Sequence, residues 1–116
     1  MSRDILLVDD DEIFILTASV VLKKAYPGSN ILIAKNGEEA LKLLDKQSPD
    51  LILLDLNMPI MDGWDFLSAA ANKPLPPIFI VSSSVDPKEK EKASAMKQVK
   101  GFIEKPLDAK KIVGLL

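Results

Sequence analysis

Residues 4–14 read DILLVDDDEIF: an oily run that stops abruptly at three adjacent acids. Positions 5–8 are apolar without exception. A strand with one wet face alternates; a strand buried on both faces does not. The run is also too short for a buried helix. It therefore reads as a parallel strand in a sheet covered by helices on both sides. Working outward, the same grammar repeats at NILIA (30–34), LILLD (51–55), PIFIVS (77–82) and GFIE (101–104). Of these, 51–54 and 78–81 are again apolar throughout. Helical patterns fill the gaps, at 11–25, 37–47, 63–72, 87–97 and 107–115. Asn36, Asp62 and Asp86 stand at or near helix starts, and Pro87 suits a first helical position. Five strand–helix units in strict alternation predict an α/β fold, an open doubly wound parallel sheet.

The chain has 116 residues, 47% of them apolar, which suits one domain with a real core. It has no cysteine, so disulfides and thiolate metal sites are excluded. It has no histidine either, which removes imidazole catalysis and ligation. Chemistry must run on carboxylates, hydroxyls, lysines and backbone amides. A net charge of −2 gives no general attraction to nucleic acid or anionic membrane. No apolar stretch approaches the ~20 residues of a membrane span. The N-terminus runs straight into a strand without a signal peptide, so a reducing, cytoplasmic setting is expected.

In doubly wound sheets, sites form beyond the carboxyl ends of the strands. Asp9 and Asp10 end the first strand, Asp55 the third and Ser82 the fourth; Lys105 follows the fifth. These five side chains should meet at one edge. Two carboxylates about 5 Å apart repel by roughly 3 kcal/mol at an effective dielectric of ~20. Three such pairings among Asp9, Asp10 and Asp55 need relief. A proton on one acid or the Lys105 ammonium would help; a divalent cation relieves them best. Few, hard oxygen ligands with positions left for water suit Mg²⁺. A carboxylate can also act as a nucleophile and accept a phosphoryl group as an acyl phosphate. Asp55 fits that task, with Lys105, Ser82 and nearby N–H groups to neutralise the transferring oxygens. Singly, each residue has a plainer role. Asp9–Asp11 can open a helix, Asp55 and Ser82 can serve turns, and Lys105 can be solvated. Jointly, those readings require four coincidences at one sheet edge.

The segments LLVDDD, LILLDLNMPIMDGWDFL, IFIVSSS and GFIEKPL resemble the receiver domain of two-component response regulators. The likeness runs through essentially the whole chain, so residues 1–116 read as one receiver domain. The D-x-N-M-P-x-M-D-G segment is its most specific part. The resemblance implies a flavodoxin-like sheet of order 2-1-3-4-5 with five helices. It implies that Asp55 is the phosphoacceptor, that Asp10 ligates Mg²⁺ directly and that Asp9 holds it through water. Asn57 would add its backbone carbonyl. Ser82 would turn towards the phosphoryl group, Lys105 would pair with it, and the Lys105–Pro106 bond would be cis. Phe102 takes the place of the switch aromatic, moving inward with Ser82. Asp11 matches no ligand position, so its role is the helix start. Ser83 stands where Ala or Gly is more usual, and Phe102 lacks a tyrosine's hydroxyl. Ser84 and Asn57 would flank the approach of attacking water.

The helix over 11–25 is oily nearly all round. Phe14, Ala18, Val21, Leu22 and Ala25 share one face, while Ile13, Leu16 and Val20 lie roughly opposite. The second stripe would face water beside the acids, as a docking surface for a histidine kinase or histidine phosphotransfer protein. Scattered surface apolars would be the plain alternative. The helix over 87–97 is a charged, solvated face in which Glu89 and Lys92 can pair; its neighbourhood is where the family meets output partners. The function expected is a phosphorelay switch, catalysing only its own phosphorylation. An aspartate-nucleophile phosphatase would place Asp9 and Asp11 at its motif but would need a hydroxyl where Ile13 stands. A catalytically dead module would not need Asp10, Asp55, Ser82 and Lys105 together.

Overall fold

The computed structural model describes residues 3–83 and 86–116. Five strands, β1 (Asp4–Val8), β2 (Asn30–Ala34), β3 (Leu51–Leu54), β4 (Ile78–Ser82) and β5 (Val99–Glu104), alternate with five helices. The helices are α1 (Glu12–Ala25), α2 (Gly37–Leu44), α3 (Gly63–Ala69), α4 (Pro87–Ser94) and α5 (Ala109–Ile112). All pairings are parallel, in the order β2-β1-β3-β4-β5. The three uniformly apolar runs are the three central strands, as burial on both faces requires.

Side chains alternate along each strand and so divide the core into two layers. Leu6, Val8, Ile52, Leu54, Ile78 and Ile80 point to one face, where Ala40 of α2, Phe66 and Leu67 of α3 and Ala93 of α4 cover them. Ile5, Leu7, Leu51, Leu53 and Val81 point to the other, under Phe14, Ile15, Ala18 and Leu22 of α1 and Ile112 of α5. α1 thus buries the face expected of it, with Ile15 added.

Helix starts follow the sequence closely. Asp11 caps α1, accepting from the N–H groups of Ile13 and Phe14. Asn36, Asp62, Asp86 and Asp108 cap the helices that follow them. Asp62 and Asp65 form a reciprocal capping box. Helix ends come earlier than the apolar periodicity predicts. α2 stops at Leu44 because the last turn tightens, with Lys46 N–H bonding the Leu43 carbonyl. α3 stops at Ala69 and α4 at Ser94, each followed by a similar three-residue closure, from Lys73 to Ala70 and from Met96 to Ala93. The helix predicted over 107–115 shrinks to Ala109–Ile112, ended by extended Val113 and left-handed Gly114 (φ 88°).

β5 begins at Val99, two residues before the apolar run suggests. A register shift pairs Ile78 with Val99 but Phe79 with Gly101, so Lys100 is the extra residue of a bulge. Lys100 broke the apolar pattern and hid the strand's start. Lys92 lies over the Trp64 ring at 4.2 Å rather than on Glu89.

Phe66 is wholly buried at the centre of the first core layer. Phe66→Ala should lower the unfolding free energy by about 3–5 kcal/mol, the range for a large aromatic removed from a core. Urea unfolding measures it; a loss below about 1 kcal/mol would mean that α3 does not carry this layer.

Candidate functional site

The pairing of the central strands places the acids. Asp9 follows β1 and donates its N–H to the Ala34 carbonyl at 2.9 Å. Asp55 follows β3 and donates its N–H to the Val8 carbonyl, also at 2.9 Å. Both are buried, Asp9 to 1% and Asp55 to 6% exposure, while Asp10 faces solvent. One carboxylate oxygen from each of the three lies within 4.8 Å of the others. Asp9 Oδ1 accepts the Asp11 N–H at 2.9 Å, which turns the chain into α1. Asp9, Asp10 and Asp55 converge, and Asp11 caps the helix.

Ser82 ends β4, fully buried, and its carbonyl accepts the Lys105 N–H at 2.9 Å. The Lys105–Pro106 peptide is cis, as expected. Lys105 brings its ammonium to 2.8 Å from Asp9 Oδ2 and 3.7 Å from Asp55 Oδ2. In this state it sits closer to Asp9 than to the phosphoacceptor candidate. The contact with Asp9 is a buried ion pair at charge-assisted hydrogen-bond distance. Asn57 is exposed beyond Asp55. Phe102 is half-buried on β5 against the first core layer, with the Lys90 ammonium 5.7 Å from its ring. Ser84 lies outside the described residues.

Three supporting features were not legible in the chain's pattern. Phe14 presents its ring to the Lys105 ammonium at 4.2 Å. Gly63 packs against the backbone of the acid itself: a Cβ there would lie 2.5 Å from the Asp55 carbonyl oxygen and 2.9 Å from Leu56 Cα. Its identity is the one signal that could have marked a close approach. Ile60 holds φ at 69°, at the centre of a tight turn in which the Met61 N–H meets the Pro59 carbonyl at 2.7 Å. A β-branched residue is strained in that region. Ile13, Leu16 and Val20 are all exposed on α1. Exposed Ile33 of β2 joins Ile13 and Leu16 in a shallow groove of about 550 Å³, bounded by the Glu12–Lys35 ion pair.

Can the cluster take a cation? Asp9 Oδ2 is a buried carboxylate oxygen whose described partner is the Lys105 ammonium at 2.8 Å. The donor set is all carboxylate, with Asp10 open to water. That suits a hard divalent ion that keeps part of its water shell. The electrostatics agree. Burial pushes the Asp55 carboxyl up from its ordinary 3.8 to about 6, and the Asp9 charge adds to the push. Lys105 and the N–H groups of Asn57 and Leu56 oppose it without cancelling it.

The folded state therefore holds the Asp55 proton more tightly than the unfolded chain does. Well below pH 4 both states are protonated and no penalty exists. As pH rises from about 4 to about 6 the unfolded chain releases the proton first, stability falls, and the penalty is complete above about 6. The shift sets a ceiling of about 3 kcal/mol, which screening at the rim reduces to about 1–2 kcal/mol. In the presence of a chelator, Asp55→Asn should be stabilised by that amount over the wild type at pH 7.5. At pH 4 the gap should narrow. Thermal unfolding at the two pH values checks it; a gap that does not change with pH would refute the assignment.

The model of the response regulator receiver domain matches residues 5–116. The chain is 30% identical over 106 residues to the chemotaxis protein CheY of Halobacterium salinarum, covering 91% of this chain and 87% of that one. It is 34% identical over 122 residues to a protein-glutamate methylesterase/protein-glutamine glutaminase of Halalkalibacterium halodurans, covering 99% of this chain and 35% of that protein. The chain spans about a third or less of the length of such methylesterase relatives. Among solved structures, a two-component response regulator from Legionella pneumophila superposes with a TM-score of 0.84 at 32% identity, over 94% of this chain and 91% of that one. CheY4 of Vibrio cholerae gives 0.82 at 28% identity, over 96% and 92%. Receiver domains are modules of phosphorelay signalling that bind Mg²⁺ through an acidic cluster, and the strand order, the acidic cluster and these likenesses agree: the chain belongs to the response regulator receiver domain family.

Proposed function

We propose that residues 1–116 form a receiver domain that accepts a phosphoryl group on Asp55. The observation that carries this reading is the meeting of three carboxylates within 4.8 Å, with the Lys105 ammonium 3.7 Å from Asp55. Asp9, Asp10, Asp55 and the Asn57 carbonyl would hold Mg²⁺, which supplies positive charge to the phosphoryl oxygens. An Asp55 oxygen attacks phosphorus; the new O–P bond forms as the bond to the donor's leaving group breaks. Lys105 and the Ser82 hydroxyl take up charge on the transferred oxygens. With Ser82 drawn inward, Phe102 follows, and the altered α4–β5 surface meets an output partner. Water later attacks the phosphorus, the Asp55 O–P bond breaks, and inorganic phosphate leaves the restored carboxylate.

The donor is a histidine kinase or a histidine phosphotransfer protein, as the family resemblance implies; the 116 residues themselves offer no phosphohistidine. Ile13, Leu16 and Val20 are its docking residues, and Ile33 extends their surface. The chain acts in the cytoplasm without binding nucleic acid itself; among the described residues no helix is long and apolar enough to cross a membrane. Its chemistry is confined to its own Asp55. Against phosphatase turnover stands Ile13, where that motif needs a hydroxyl, while Asp11 Oδ1 accepts two N–H groups as the cap of α1.

Acetyl phosphate with Mg²⁺ should add one phosphoryl group to the wild type by intact mass. Chelation or Asp55→Asn should abolish it. A label that persists in Asp55→Asn refutes the reading. The double variant Ile13→Asp/Leu16→Asp should slow transfer from a kinase about tenfold or more, as loss of central interface anchors does, while leaving acetyl phosphate labelling intact. Equal losses with both donors would remove the docking assignment.

A further inference from the structure

We propose that Phe14 is a positioning residue for phosphoryl transfer: its ring face keeps the Lys105 ammonium at the carboxylate cluster without occupying a carboxylate. This rests on the reading of Asp55 and Lys105 given above. The Lys105 side chain is long and flexible, yet it is only 15% exposed and its ammonium has three described neighbours. They are Asp9 Oδ2 at 2.8 Å, Asp55 Oδ2 at 3.7 Å and the Phe14 ring at 4.2 Å. Two of the three are acids of the cluster itself. An ammonium held by carboxylates alone goes where negative charge is greatest, here to Asp9. A divalent cation that neutralises Asp9 weakens that hold and leaves the lysine free to swing into water. The attraction of an aromatic face comes from the ring's own charge distribution, and it survives neutralisation of the acids.

Phe14 is built to be a fixed platform. It lies in the first turn of α1, where the Asp11 cap accepts its N–H, and its ring is buried in the second core layer. A leucine would fill much of that volume and satisfy the same layer, but it has no face for a cation. Aromatic character at position 14, beyond bulk, is therefore the functional property. Packing alone would ask only for an apolar side chain there.

The test compares the wild type with Phe14→Leu, Phe14→Tyr and a chain carrying 3,4,5-trifluorophenylalanine at position 14. The last preserves shape while weakening the ring's attraction for cations. In metal-free protein, NMR of the Lys105 ε-methylene should show a ring-current displacement in the wild type and Phe14→Tyr, and none in Phe14→Leu. With Mg²⁺ and acetyl phosphate, Phe14→Leu and the trifluoro chain should be labelled roughly 3- to 10-fold more slowly, the range that a partly desolvated cation–π contact sets. Phe14→Tyr should recover most of the wild-type rate. In a Lys105→Met background, Phe14→Leu should cost nothing further. An undiminished loss in that background, or wild-type rates in both Phe14→Leu and the trifluoro chain, overturns the inference while leaving Asp55 as acceptor. A wild-type chain that is never labelled overturns the acceptor reading, and this inference with it.

Discussion

Three carboxylates held within 4.8 Å of one another are the constraint on which the molecule turns. Asp9 and Asp55 cannot retreat from each other, because their own N–H groups are bonded into the neighbouring strands. The sheet that fixes them is stabilised elsewhere, by two apolar layers on its faces. Burial energy from the core is thus set against repulsion at the edge. Within the protein, the ammonium of Lys105 and the amides after Asp55 offset part of that repulsion. They leave Asp55 with a carboxyl titrating near 6, well above its ordinary range. A group so placed gains from any incoming positive charge, and that gain is what a receiver's chemistry draws upon.

Much of this was legible in the chain because the central strands carry an unambiguous pattern. Ile5–Val8, Leu51–Leu54 and Ile78–Val81 are apolar throughout, so their position inside a parallel sheet followed from burial alone. Strand order did not follow from pattern; it entered through the likeness of the D-x-N-M-P-x-M-D-G segment to receiver domains. Caps were readable because Asp and Asn act within three residues of themselves. Helix ends were not, because Leu44, Ala69 and Ser94 yield to three-residue closures that apolar periodicity does not encode. The bulge at Lys100 hid the start of β5 for a related reason: register depends on the partner strand.

The site was legible as a list and illegible as a geometry. Strand ends put Asp9, Asp10, Asp55, Ser82 and Lys105 at one edge. Which acid Lys105 approaches depends on side-chain packing, and it approaches Asp9. Phe14 read only as a core residue, since its spacing in α1 says which face it buries and nothing about a lysine that arrives ninety residues later. Ile33 was likewise hidden: on an edge strand the alternation shows a side chain turned outward but not the helix it lies beside.

Gly63 has a consequence of its own. With the Asp55 carbonyl 2.5 Å from any Cβ, the position admits a hydrogen atom and little else, whatever the domain does for a living. A descendant that had abandoned phosphate altogether would still keep this glycine in order to fold. Asp10 is exposed and packs against nothing in either core layer, so folding places no comparable demand on it.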